Sequence, residues 1–340
     1  MGYGTYATIA DLKGVLGVTS TTDDTVMRKE LESASRSIEG YCNRRFYVTS
    51  ETKYFDGANN LWIPDLLSIS LFKADEDGDG TYETIFENTW VASTAYAAGD
   101  WVKPTAVASH AYKCTTAGTS ASSEPTWGVT NNGTTTDGSV TWTCYTTNYF
   151  LYGGGIEDSL NLFPATRIEI NPNGDYSSFG SGVKKGVKIT GKWGYGDGIS
   201  ATPYVVDTTL TSAISSTTAT TCAVTAVTNL SAGNTILIDS EQMYIYSIST
   251  LTLTVERGVN GTTAATHSNG ASLYIYQYPA DVRQTCIDLG VALYQNRAKQ
   301  GLQSERLGDY SYTIAGTSLG KGVIESMLDN SIRGYKRMRF

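Results

Sequence analysis

The sequence predicts an α+β protein: a helical domain carrying a β-hairpin and sheet, interrupted by two inserted small all-β domains. Three observations predict it. Both ends of the chain carry apolar residues at helical spacing, and the short runs between them alternate apolar and polar residues. Two stretches, 89–147 and 204–278, are nearly free of charge and rich in Thr, Ser, Ala and Tyr.

The element order follows from local chemistry. "TIADLKGVLG" is predicted as a short helix capped by Thr8. In "DDTVMRKELESASRSIEGYCNRRF", Val26, Leu31, Ala34, Ile38 and Tyr41 form one stripe of a longer helix, opened by Asp23 or Asp24. "KYFDG", "LLSISLFKA", "TRIEINP" and "GVKITGKWGYG" are bounded by Gly, Asn, Asp or Pro and predict strands. "PADVRQTCIDLGVALYQNRAKQG" places Pro279 at a first helical position and Val282, Cys286, Leu289 and Leu293 along one face. A last helix, "GVIESMLDNSIRGY", follows "DYSYTI". The host domain is therefore expected over 1–88, 148–203 and 279–340, with 89–147 and 204–278 inserted; excising both leaves a unit of roughly 200 residues.

The net charge of −8 argues against a protein that grips nucleic acid over most of its surface. No apolar run is long enough to span a bilayer and "MGYGTYATIADLKG" lacks a signal-peptide core, so a soluble protein made in the cytoplasm is expected. Five scattered cysteines, 42, 114, 144, 222 and 286, do not form a disulfide framework; only Cys114 and Cys144 share a module, and packed thiols are expected. With two histidines, His110 and His267, no zinc set is expected, and no cofactor.

"DEDGDGTYE" (75–83) opens as an EF-hand calcium loop does. The twelfth position, where a bidentate Glu belongs, is Phe86, and the flanks alternate as strands. A β-hairpin turn is the expectation, with Asp75, Asp77 and Asp79 the only candidate metal ligands. "GTSLG" (316–320) satisfies G-x-S-x-G, but no histidine follows Ser318 to serve as its base, so no enzyme is expected. "SIRGYKRMRF" ends the chain with Arg333, Lys336, Arg337 and Arg339 and no acid after Asp329.

The host segments "ADLKGVLGV", "ELESASRSIEGYCNRRF", "GKWGYG" and "PADVRQTCIDLGVALYQNRAKQGLQSERLGDYSYTI" resemble the head–tail connector, or adaptor, proteins of long-tailed bacteriophages. The resemblance implies a virion structural protein at the neck: a homo-oligomeric ring, with the portal's twelvefold symmetry, that docks on the portal protein and extends its channel for genomic DNA. The next neck or tail-terminator protein is a further implied partner. It also implies that the C-terminal segment clasps the portal, through Arg333, Lys336, Arg337 and Arg339 and the aromatic residues Tyr335 and Phe340; a solvated tail and binding of the DNA that crosses the channel are the competing readings of the same charges. The first insert is similar to small chitin-binding modules, with Trp90, Tyr96, Gly99-Asp100, Val102, Tyr112, Pro125 and Trp127 in their order. Trp101, Tyr112, Trp127 and Trp142 are its candidate sugar-stacking residues, and packing of these aromatics into a small core is the competing expectation. The second insert resembles a β-module of phage neck and tail proteins. A sugar-binding tail or fibre adhesin anchored by its helical ends is the alternative function.

Overall fold

The computed structural model describes residues 4–105, 110–153, 163–297, 304–307, 310–313 and 321–337. The chain divides into two compact units, 50–194 and 1–49 with 195–340.

In the first unit, β1 (Thr49–Phe55), β2 (Asn60–Ala74) and β3 (Thr84–Asn88) are followed by the small strands of the 89–147 module, then β10–β12. Strands β10 (Tyr149–Gly153), β11 (Ala165–Ile170) and β12 (Val187–Trp193) complete one sheet in the order β1-β12-β2-β11-β10, with β3 paired to β2. Strict alternation on β12 explains its place: Val187, Ile189, Gly191 and Trp193 are buried, while Lys188, Thr190 and Lys192 turn to the other face. The buried face carries Leu61, Ile63, Phe72, Ile168 and Trp193. Phe72, Phe86 and Phe179 meet there with ring centroids 4.9–5.0 Å apart.

The module between β3 and β10 has its own core. Strands β4 (Ala95–Tyr96) and β7 (Gly118–Thr119) pair, while β5 (Trp101–Val102), β6 (His110–Thr116), β9 (Val140–Thr146) and β8 (Thr134–Asp137) form a sheet in that order. Trp90, Tyr96, Val102, Tyr112, Val140 and Trp142 fill it, with Cys114 and Cys144. All five cysteines of the chain are buried free thiols.

In the second unit, α1 (Ile9–Leu16) begins with a capping box: Thr8 Oγ accepts from the Asp11 amide, and Asp11 accepts from the Thr8 amide. Helix α2 (Asp24–Cys42) buries Met27, Leu31, Ala34, Ile38 and Cys42. The stripe is displaced from the predicted one, because Val26 and Tyr41 are only half-buried and Met27 and Cys42 take the core positions. Helix α3 (Ala280–Asn296) crosses α2 and α1 at Gly290, where an added Cβ would come within 3.0 Å of Leu31 and 3.4 Å of Leu12. The missing side chain lets the helices close on one another. Helix α4 (Lys321–Ile332) adds Leu328 and Ile332 to the same core.

Strands β13 (Tyr204–Thr209), β14 (Thr221–Ala223), β15 (Thr235–Ile238), β16 (Glu241–Ser249), β17 (Thr252–Glu256) and β18 (Ser272–Tyr276) form a sheet in the order β13-β18-β15-β16-β17-β14. This sheet is tied to the helices: the Ile9 amide donates to Ala232 O at 3.1 Å, Arg28 donates to the Tyr246 hydroxyl at 2.7 Å, and Gln242 donates to Val48 O. Strands β19 (Ser304–Leu307) and β20 (Tyr310–Thr313) make a separate antiparallel pair.

This architecture corrects the predicted fold class. The described residues are 37% strand and 21% helix, with four α-helices among them, so the protein is mostly β and not a helical domain with small β insertions. The central strands build a six-stranded antiparallel sheet with its own aromatic core rather than an accessory hairpin. The physical reason is that helical spacing is conspicuous in long periodic runs, whereas the strands announce themselves only as short alternations that together hold more residues than the helices.

Candidate functional site

The C-terminal segment was the principal candidate, and its described part packs on its own subunit. Ile332 is fully buried, and the turn Arg333–Tyr335 lays the Tyr335 ring edge-on against Phe46 and Tyr195, at 5.8 and 5.4 Å. Burial, with Asp281 nearby, pushes the Tyr335 phenol up to about 12. The Arg337 amide donates to Cys42 O at 2.9 Å, capping the end of α2. Tyr335 is half-buried, and its ring packs against the subunit's own aromatic cluster before any partner is met. Arg333 and Lys336 are exposed; Arg333 lies 4.0 Å from Asp329, and Lys336 stands over the Tyr41 ring at 4.8 Å. Arg339 and Phe340 lie outside the described residues, as does Ser318. Truncation after Asn330 is therefore expected to destabilise the helical core by about 2–5 kcal/mol, the usual cost of deleting a fully buried aliphatic side chain such as Ile332. A thermal melt unchanged from the full chain would refute that packing.

Of the four candidate sugar-stacking residues, three are core residues and Trp127 is half-buried. Trp101, Tyr112 and Trp142 are 1%, 1% and 0% exposed, so their faces cannot stack on a sugar ring. Asp137, 2% exposed, organises this core: one carboxylate oxygen accepts from the indole N–H groups of Trp90 (2.7 Å) and Trp142 (2.9 Å), and the other from the Ala121 amide (2.8 Å). Trp127 is half-buried, 4.3 Å from the Tyr112 ring, and its indole N–H donates to Glu124 at 2.8 Å. Sequence reasoning did not single out Asp137. The signal was available as one of only three acids, with Asp100 and Glu124, in a charge-poor, Trp-rich module where buried indoles call for acceptors.

The acidic stretch is a turn between β2 and β3, which pair antiparallel from Leu71↔Asn88 to Ala74↔Thr84. Asp75 is buried, and its two carboxylate oxygens accept from the amides of Gly78 (2.7 Å) and Gly80 (2.9 Å). Burial raises its carboxyl pKa, and these amide bonds outweigh that and hold it below the ordinary range. Asp77 and Asp79 accept from the amides two residues on. Glu83, which the linear spacing left out, joins the three aspartates with oxygens within 4.8 Å of one another. Among the described residues, these four have an arrangement that could hold a hard cation.

A buried ionic network in the β13–β18 sheet was also missed. Glu241 is fully buried and accepts from Arg257 Nε and Nη2 (both 2.7 Å), from the Gly258 and Ala265 amides (3.0 and 2.9 Å), and contacts His267 Nε2 (2.9 Å). His267 Nδ1 faces Asp239 at 2.7 Å. Burial alone would raise the Glu241 carboxyl, but the Arg257, Ala265 and His267 contacts hold it below the usual carboxylate range. The network joins the turns at 239, 257 and 265 across the sheet end, so its chemistry is structural cross-linking. Arg257 is the only basic residue in 204–278, which was the signal that could have found it. A cleft of about 580 Å³ elsewhere in this unit is crossed by the Arg283–Asp11 ion pair at 2.6 Å.

No family model, no curated protein and no solved structure matches this chain.

Proposed function

We propose that the protein is a virion structural subunit of a tailed bacteriophage: a head–tail connector or adaptor, assembled as a ring at the neck, that docks on the portal and carries the DNA channel toward the tail. It acts by assembly rather than catalysis. Its partners in this reading are further copies of itself, the portal, the next neck or tail-terminator protein, and the DNA in transit.

The observation that carries the reading is the joining of the two resembling ends. Ser35 and Cys286, 251 positions apart, lie 3.4 Å apart in one core with Leu12, Leu31, Ile38, Phe46, Val282 and Leu289. The residues that carry the family resemblance thus act as one packing unit. Arg333 and Lys336, exposed at the end of that unit, supply the cations for an acidic portal surface.

Arg333→Glu with Lys336→Glu is expected to leave the melt of the soluble subunit within about 1 kcal/mol of wild type, because the pairs involved are exposed. Attachment to portal-bearing heads should weaken, more at low salt than at high, since screening blunts the attraction. Attachment indistinguishable from wild type at low salt would remove the C-terminal cations from the reading. Labelled protein absent from the neck in electron micrographs of virions would overturn the function.

A further inference from the structure

The cleft of about 580 Å³ in the unit formed by 1–49 and 195–340 falls within the size of sites that take small molecules, about 300–1,000 Å³. Its walls are the N-terminal segment 5–11, the stretch 229–235 and the chain 275–283 that leaves β18 and enters α3, joined by Asp197 and Ile199. These walls are tied to one another. The Ile9 amide donates to Ala232 O at 3.1 Å, and Gly233, at φ +105°, comes so close that an added Cβ would lie 2.7 Å from Thr8 Cα. The cleft is therefore formed before any ligand enters.

Its lining is uncharged hydrogen-bonding chemistry held in place. Tyr276 is 7% exposed, and its ring lies edge-on to Tyr204, its register partner on β13, at 5.5 Å. Among the described residues the Tyr276 hydroxyl has no hydrogen-bond partner, yet unlike that of Tyr278 it is open to solvent. Burial pushes the Tyr276 phenol well above its ordinary range, so it stays a neutral donor and acceptor. Asn229 donates its amide N–H to Asp207 at 2.7 Å and keeps its carbonyl oxygen. Asn234 does the reverse: its carbonyl oxygen accepts from the Ser231 amide at 2.7 Å, and its NH2 is left. The Gln277 backbone is fixed by its amide's bond to Pro203 O at 2.8 Å, while its exposed side chain makes no bond among the described residues.

Ions fit this lining poorly. Arg283 is paired with Asp11 at 2.6 Å, so an anion meets no unpaired cation among the described residues that line the cleft. Asp197 accepts from the Ile199 and Ser200 amides through one oxygen, at 2.9 and 2.8 Å. One remaining carboxylate oxygen is too little for the shell of a hard cation. Ile199, 83% exposed, and Pro279 add apolar ground. Groups that give and take hydrogen bonds beside apolar surface suit a molecule whose hydroxyls do both and whose C–H face is apolar.

We propose that this cleft binds an uncharged, hydroxyl-rich small molecule of the mono- or disaccharide class, with Tyr276, Asn229, Asn234 and Gln277 as its hydrogen-bonding groups. The site goes beyond assembly of a ring and does not depend on it. It is also separate from the 89–147 module, whose aromatic residues belong to the other unit.

The test follows amide resonances of the full chain during titration with glucose, maltose and N-acetylglucosamine, with acetate and methylammonium as anionic and cationic controls. Saturable shifts are expected at 5–8, 231–235 and 275–278 with at least one sugar, at a Kd of about 1 mM or below. Tyr276→Phe removes a hydroxyl that bonds to nothing in the described chain, so its melt should match wild type while its Kd rises about three- to tenfold. Gln277→Ala should behave alike, and Trp127→Ala, in the 89–147 module, should leave the Kd unchanged. No saturable shift with any of the three sugars overturns the proposal. So does acetate or methylammonium binding as tightly as the sugar, since the site is then ionic. A Kd that Tyr276→Phe and Gln277→Ala both leave unchanged, or shifts confined to 90–146, puts the sugar elsewhere and overturns it equally.

Discussion

Glu241→Gln is expected to lower the stability of the unit formed by 1–49 and 195–340 by about 3–5 kcal/mol, the range for removing one partner of a buried ion pair. Arg257, whose side chain is 7% exposed, would lose its ionic partner and keep at most one of its two acceptor oxygens. The other is replaced by an amide NH2 that faces the guanidinium, while Arg257 stays enclosed by the Ser216, Ala219 and Ala265 carbonyls. For a unit of this size the melting temperature should fall by roughly 10 °C. The same residue sets an acid dependence. Its carboxyl titrates lower in the folded state than in the unfolded chain, so its contribution is fully present above the unfolded carboxylate range, about 4.3. That contribution is lost as pH falls through the lower folded value. Wild type should therefore lose stability on acidification more steeply than the Gln variant. Calorimetry from pH 7 down to about 3 checks both statements, and parallel pH profiles would show that Glu241 is not the ionised centre of the network.

Asp137→Ala is the second large effect. It strands two buried indole N–H groups and the Ala121 amide at once. Each orphaned buried donor costs about 1–3 kcal/mol, so a loss of about 3 kcal/mol or more is expected. The loss should be local: amide exchange should accelerate across 90–146, while the central sheet around Phe72 and Phe179 keeps its protection. A loss below about 1 kcal/mol would mean that the tryptophans find other acceptors. This outcome also decides how the module's aromatics are used, because rings held by Asp137 in a closed core are unavailable to a sugar.

Much of the local structure was legible in the residues themselves. Thr8 with Asp11 marks the start of α1, Gly17 ends it in the left-handed conformation, and Leu31, Ala34 and Ile38 recur at helical spacing on α2. Alternation and the Asp-Gly turn determined the β2–β3 hairpin, because a period of two and a positive-φ glycine are properties of a few adjacent residues. Composition alone marked 89–147 and 204–278 as β-rich.

Only the tertiary structure decided where those pieces spend their side chains. Tyr335 reads as a free aromatic in a basic tail, yet it lies against Phe46 and Tyr195, far away in the chain. Trp101, Tyr112 and Trp142 read equally well as a sugar platform or a core, and burial made them core. Glu83 joined the aspartates of the turn, and Glu241 found Arg257 and His267, through strand register that no local spacing encodes. The balance of fold class went the same way: helical periodicity is a strong local signal, while a sheet exists only when strands distant in sequence pair. Its area, and with it the mostly β character of this protein, is therefore a property of long-range contacts rather than of any one segment.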